Sequence, residues 1–232
     1  MITNTHLPEP DLAHERTNKM IRFLLRNHVG TNSSMLRILF PGMNPATVQK
    51  LILRAIRRGL LKRWPLHSSR TYLRLGQAAI ARWQYPKKYS RRLGPQILPY
   101  HLGCLSLTTL KKETPKRLLP SELEAYFPGF PQTNELQQWA YYLDSSTGVD
   151  RLATIRVEYR VGGFAVINRV AEQFHSYRQH DCINELLDSG RFILHVVTAT
   201  PQQEESLWDA AEHLAFPAPL ETSHDTSLTM FL

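Results

Sequence analysis

From Arg16 to Lys112 the chain contains no aspartate or glutamate, although twenty lysines and arginines lie in that stretch. A surface that binds a polyanion requires this absence, because an acid among its cations would repel phosphate. Lysine is missing from the other end: none follows Lys116, and residues 118–232 set six arginines against sixteen acids, a net of −10. Residues 1–117 carry 22 basic and 4 acidic side chains, a net of +18. Cysteine is scarce as well. Cys104 and Cys182 are the only two, with no C-x-x-C partner, which excludes a cysteine zinc site and favours a reducing compartment over a disulfide framework. No apolar run reaches the length of a membrane span, and the opening MITNTHLPEPDLAHERT lacks the apolar stretch of a signal peptide. There is no G-x-x-x-x-G-K-[ST] phosphate loop, and no His-hydrophobic-His run of the kind tyrosine relaxases use for metal.

Charge segregated in this way divides the chain into a nucleic-acid-binding module and an acidic module. A merely soluble basic protein, or one drawn to anionic membranes, would also have a high pI, but neither needs its acids confined to one half. The apolar fraction of 42% suffices for packed cores. The expected setting is a bacterial cytoplasm, with double-stranded DNA as partner, no membrane, and no metal or cofactor.

Residues 1–85 read as a DNA-binding domain. A helix over about 17–28 turns Met20, Phe23 and Leu24 inward, and a short second one over 34–40 turns in Leu36 and Leu39. Asn44-Pro45 is a strong helix start, and the third helix, about 45–59, buries Val48, Leu51, Ile52, Ala55 and Ile56. Two strands around a basic tip follow, over 60–64 and 71–75, and then a helix over 77–83. Three helices and a β-hairpin predict a winged helix-turn-helix, whose third helix enters the major groove while the hairpin touches backbone. The candidate DNA contacts are Asn44, Ala46, Thr47, Gln49, Lys50, Arg54, Arg57 and Arg58 on that helix, and Lys62, Arg63 and Arg70 on the hairpin. Ala46 and Thr47 are small enough to approach base edges, and the arginines behind them suit phosphates. The bland alternative is a solvated surface helix, but such faces normally mix signs, and here no acid is available. Residues 86–117 read as a basic connecting segment that either lies along DNA or forms a charged loop.

Over 118–216 the pattern predicts an α/β domain, and 217–232 a tail, either a docking peptide or a frayed end. Ser121–Glu124 suggests a capping box, 139–143 a strand, and 153–161 a strand with strict alternation. Gly162-Gly163 reads as a tight hairpin into a further strand over 164–167. A helix from 169 to about 187, a buried strand over 192–198 and a last helix over 201–214 complete the order αβββαβα. The overall class is α+β.

The carriers of a family resemblance are Leu98-Pro-Tyr-His101-Leu102, Val149-Asp-Arg-Leu152, Phe164-Ala-Val-Ile-Asn-Arg169 and Phe192-Ile-Leu-His-Val-Val-Thr198, behind a basic half in which Leu51–Trp64 and Tyr72–Gly76 are similar to the winged helices of many bacterial regulators. On these the chain resembles the replication-relaxation family of bacterial plasmids and mobile elements, to which MobC-type plasmid mobilisation proteins are related. The resemblance implies a second domain of the PD-(D/E)xK nuclease fold, with one acid opening the second strand and a carboxylate pair on the third. Asp150 matches the first acid. Val166 and Asn168 stand where the pair is expected, which implies a degenerate nuclease domain without catalysis. The alternative is a displaced site, Asp144 or Asp150 together with Glu158 and Arg160, where Glu158-Tyr-Arg160 mimics E-x-K. Arginine stays protonated and cannot take lysine's acid–base role, and the bland reading is a solvated strand face. His175, His180 and Cys182 offer ligand atom types without an evident fourth partner. Tyr141, Tyr142, Tyr159 and Tyr177 are either packing residues or potential nucleophiles. The expected function is sequence-specific DNA binding in transcriptional regulation or in replication and transfer control, by a homodimer assembled through 118–232. The alternatives are a metal-dependent relaxase or nickase at a transfer origin, and an adaptor in a multi-protein DNA-processing or defence complex.

Overall fold

A computed structural model describes residues 12–67, 69–110, 115–131, 140–160 and 162–232. It is an α+β protein of two compact units, residues 1–92 and 93–232.

In unit 1, α1 (Leu12–Asn27) starts earlier than its apolar stripe suggested and buries Met20, Phe23 and Leu24. It ends at His28, which takes the left-handed conformation at φ 65°. Gly30 does not stop the helix. It forms a bridge with Leu73, each donating its N–H to the other's carbonyl, at 3.1 and 2.7 Å. The second helix is one short turn, α2 (Asn32–Ser34), capped by Thr31, that widens into a π-turn over Met35–Leu39. The wider turn inserts Met35 and Phe40 into the core, so Leu36 and Leu39 are only half-buried. Next come α3 (Pro45–Arg57), the antiparallel hairpin β1 (Leu61–Pro65) and β2 (Thr71–Leu75), and α4 (Gln77–Trp83). Gly76 has no room for a side chain: a Cβ there would collide with the carbonyl of Gly59, which accepts from the N–H of Ala78.

Unit 2 is a five-stranded sheet with helices on both faces. Its elements are α5 (Ile97–Leu110), β3 (Lys116–Arg117), α6 (Pro120–Tyr126), β4 (Tyr141–Asp144), β5 (Arg151–Glu158), α7 (Gly163–Tyr177), α8 (Asp181–Asp188), β6 (Phe192–Thr198), α9 (Pro201–His213) and β7 (Leu220–His224), closed by a 3₁₀ turn over Thr226–Phe231. Strand order follows the chain, β3-β4-β5-β6-β7; the first two pairings are antiparallel and the last two parallel. One sheet face packs Tyr141, Leu152, Phe192, Leu194 and Val196 against Ile167 and Phe174 of α7 and Leu207 of α9. Each fully buried apolar side chain of this size contributes about 1.5–3 kcal/mol. The opposite face carries α5. Gly103 permits that approach, since a Cβ there would lie 2.7 Å from the Val157 methyls, and Tyr142 Oη donates to the Cys104 carbonyl at 3.3 Å.

Several expectations are corrected. Residues 164–167 are not a strand but the first turns of α7, where Val166, Ile167, Val170, Phe174 and Tyr177 are buried at helical spacing. Gly163 matters here as a close-packing residue, because a Cβ would collide with the carbonyl of Ser206 on α9. The helical stretch breaks after Tyr177 and resumes at Asp181. Residues 97–110 within the supposed connecting segment form α5, buried because its side chains are apolar nearly all round. The supposed tail supplies β7, paired to β6 from Leu194↔Leu220 to Thr198↔His224, and Leu228 is fully buried. No capping box forms at Ser121: the helix begins at Pro120, and Glu122 accepts from the Leu119 N–H at 2.8 Å. Trp139 lies outside the described residues.

Candidate nucleic-acid interface

Helix α3 is built to expose its cations. Val48, Leu51, Ile52 and Ala55 take its buried stripe, with Ile56 half-buried, and this leaves Ala46, Thr47, Gln49, Lys50, Arg54, Arg57 and Arg58 exposed. Asn44 Oδ1 accepts from the Ala46 N–H at 2.8 Å, so this side chain is engaged as the cap. Arg58 ends the helix, and Gly59 reverses the chain at φ 67°, where a residue with a side chain would be strained. Arg54 and Arg57 in the last turn also complement the helix dipole, yet none of the helix's four cations has an acidic partner among the described residues.

The hairpin separates its two candidates. Lys62 is exposed on one face, its Nζ 4.0 Å from the centroid of the Trp64 ring. Arg63 points to the other face, shared with Leu61 and Leu73, where it is half-buried with Nε and Nη2 lacking a hydrogen-bond partner. It is therefore not one of the exposed cations. Arg70 is exposed at the tip, its N–H donating to the His67 carbonyl at 3.0 Å; Ser68 lies outside the described residues.

Arg74 adds to the positive count of the basic half, but its task is structural. It is 3% exposed, and its guanidinium donates to the carbonyls of Arg91 (2.9 Å) and Lys88 (2.8 Å). Burial lowers its pKa below the usual arginine value. Tyr89 of the same segment stacks on His28, ring centroids 5.3 Å apart, and Gln77 Nε2 donates to Ser90 Oγ at 3.0 Å. Residues 86–92 thus fold over the hairpin as its cover and leave Lys87, Lys88, Arg91 and Arg92 exposed.

In unit 2 the displaced-site residues are not brought together. Asp144 ends β4, and Asp150 precedes β5 in the turn, accepting from Ser145 Oγ at 2.6 Å. Glu158 lies at the far end of β5, seven residues beyond Arg151, roughly 23 Å at strand rise. There its carboxylate accepts from the Arg160 N–H, while Arg160 Nη2 donates to the Phe231 carbonyl at 3.2 Å. Val166 and Asn168 sit on α7, the first buried and the second exposed with Nδ2 donating to Glu172 at 3.1 Å. Facing α7 from the middle of β5 are Thr154 and Arg156; Arg156 Nη2 donates to Gln173 at 2.7 Å, and burial lowers the pKa of this arginine too. Tyr141 and Tyr142 are core residues whose hydroxyl pKa values burial pushes well up, and Tyr177 of α7 is buried in the same core cluster as Tyr141. Tyr159 packs edge-on against Phe231. His175 is exposed on α7, and burial raises the thiol pKa of Cys182. Among the described residues no three His, Cys, Asp or Glu side chains are placed to hold a metal ion.

Sequence reading missed a polar cluster on the α5 side of the sheet. Arg151 Nη2 donates to Asp144 Oδ2 and to Glu221 Oε1, both at 2.8 Å. The other Glu221 oxygen is 3.5 Å from His195 Nδ1, and His195 Nε2 is 3.0 Å from Ser223 Oγ. Its only trace in the sequence is a histidine inside the apolar run Phe192–Thr198. Comparison of the chain with family models, with curated proteins and with solved structures finds no match. No helix among the described residues is long and apolar enough to cross a membrane.

Proposed function

We propose that the chain is a sequence-specific double-stranded DNA-binding protein of a bacterial plasmid or mobile element, acting in the cytoplasm without catalysis in transcriptional regulation or in replication and transfer control. The observation that carries this reading is the exposed face of α3: Lys50, Arg54, Arg57 and Arg58 in a row, with no acid anywhere between Arg16 and Lys112. Unit 1 is read as a winged helix in which α3 enters the major groove, Ala46, Thr47 and Gln49 meet base edges, and Lys62 and Arg70 hold backbone. The short bridge of Gly30 to Leu73 beside the hairpin supports that reading, as a third strand edge tying the helices to the wing. Replacing Arg54 and Arg57 together by alanine is expected to weaken duplex affinity at least tenfold, about 1.4 kcal/mol. Unchanged affinity in a folded double variant, by fluorescence anisotropy on labelled duplex, overturns it.

Unit 2 is read as the degenerate PD-(D/E)xK-like domain of the replication-relaxation family. The meander β3-β4-β5 followed by a parallel return to β6 through α7 and α8 fits that order, with β5 as the third strand. Its mid-strand residues facing α7, Thr154 and Arg156, are not carboxylates, and a catalytic Mg²⁺ needs several anionic oxygens. The protein is accordingly expected to leave supercoiled plasmid intact in Mg²⁺ or Mn²⁺; nicking abolished by Asp150→Ala or Glu158→Ala would promote the relaxase alternative. Pairing of half-sites calls for a homodimer, assigned to residues 118–232. Light scattering that gives a monomer both free and on DNA removes that element.

A further inference from the structure

Unit 1 has an open cavity of about 360 Å³ at the end of α3. That volume falls within the roughly 300–1,000 Å³ of small-molecule sites. Arg58, which ends α3, forms one wall. His14 and Asn18, one turn apart on α1, form a second, and Ala78, Arg82 and Trp83 of α4 form the third. Arg82 leans over the Trp83 ring, its guanidinium carbon 4.9 Å from the centroid, with Nη2 3.4 Å from His14 Nε2. Among the described residues no acid lines the cavity. Glu15, adjacent to His14 in sequence, is held by Lys19 at 3.0 Å. Neither Arg58 nor Arg82 has an acidic partner among the described residues.

Two arginines on the walls of one concave space, with no acid among its described lining residues, suit phosphate oxygens, which arginine forks hold bidentately. An indole beside them offers a flat apolar surface for a sugar or a base. The small side chain of Ala78 leaves the space open between them. We infer that this cavity binds the phosphate of a nucleotide, gripped by Arg58 and Arg82, with Trp83 against the adjoining sugar or base. The phosphate has two possible sources, the backbone of duplex DNA or a free mononucleotide. The first rests on the DNA-binding reading, continuing the α3 stripe from Arg54 through Arg58 to Arg82; the second does not.

The test uses the full chain with two variants, Arg82→Ala, and Ala78→Leu, which fills the cavity and keeps both arginines. Each is measured for duplex binding by anisotropy across a salt series and for AMP binding by calorimetry, with melting temperature as the folding control. If the DNA backbone supplies the phosphate, Arg82→Ala weakens binding about fivefold on any duplex sequence and lowers the salt slope by about one. Ala78→Leu then weakens it as well, and AMP does not bind. If a free nucleotide is the ligand, AMP binds the wild-type chain, both variants lose it, and duplex affinity is unchanged. Variants that melt as the wild type and alter neither binding overturn the inference, as does a wild-type chain that binds neither ligand. AMP binding without any duplex binding would sink the DNA reading while supporting the cavity.

Discussion

In unit 1 the arginines of α3 stand exposed with no acidic partner among the described residues, whereas in unit 2 Arg151 joins Asp144 and Glu221, and Arg178 joins Asp188 and Asn184, all within 2.8 Å. The same side chain therefore serves two purposes. Where acids are present it closes internal networks and its charge is spent on the fold. Where acids are absent the charge stays available to an external polyanion. Arg74 shows that composition alone overcounts this reservoir, since one cation of the basic unit is buried on backbone carbonyls.

The contrast can be broken most forcefully at Arg151. Asp144 is 3% exposed and also accepts from the Ser146 N–H at 3.0 Å, and Arg151→Ala would take the guanidinium away from this buried carboxylate. Losing one partner of a buried pair costs about 3–5 kcal/mol. Chemical denaturation should show unit 2 destabilised by that order, with duplex binding by the remaining folded protein unaltered. A loss below about 0.5 kcal/mol would class Arg151 with ordinary exposed pairs.

A smaller effect is expected at Arg74. Arg74→Ala removes two charge-assisted hydrogen bonds but also relieves a desolvated cation, so unit 1 should lose about 1–2 kcal/mol. Hydrogen exchange should rise in residues 86–92, which this side chain pins over the hairpin. Undiminished protection there would mean that the stacking of Tyr89 on His28 holds the cover by itself.

Much of this division is legible in the sequence. Helix α3 is announced by Asn44-Pro45 and a clean apolar stripe, and α4, β2 and β6 are found where local pattern puts them. Helix α5 was hidden because Ile97–Leu110 is apolar nearly all round, with Pro99 and Gly103 reading as breakers. The start of α7 reads as a strand because Gly162-Gly163 resembles a hairpin turn, whereas Gly163 answers to the Ser206 carbonyl far along the chain. Strand β7 has a single buried apolar residue, Leu220, so its backbone pairing with β6 left little pattern to find. On the candidate interface, exposure of the α3 cations followed from helix periodicity. The burial of Arg63 and Arg74 did not, because it depends on which face of the hairpin the core and the 86–92 segment cover. The Asp144–Arg151–Glu221–His195 cluster depends on the register of four strands, which no local pattern carries.

The central claim is that the unpaired cations of unit 1 meet DNA phosphates, and the salt dependence of duplex binding tests it most directly. If Lys50, Arg54, Arg57, Arg58, Lys62 and Arg70 each neutralise a phosphate, the slope of log Kobs against log salt should be about −5, and the Arg54→Ala/Arg57→Ala variant should reduce it in magnitude by about two. A slope near zero, or one that the double variant leaves unchanged, would contradict the account.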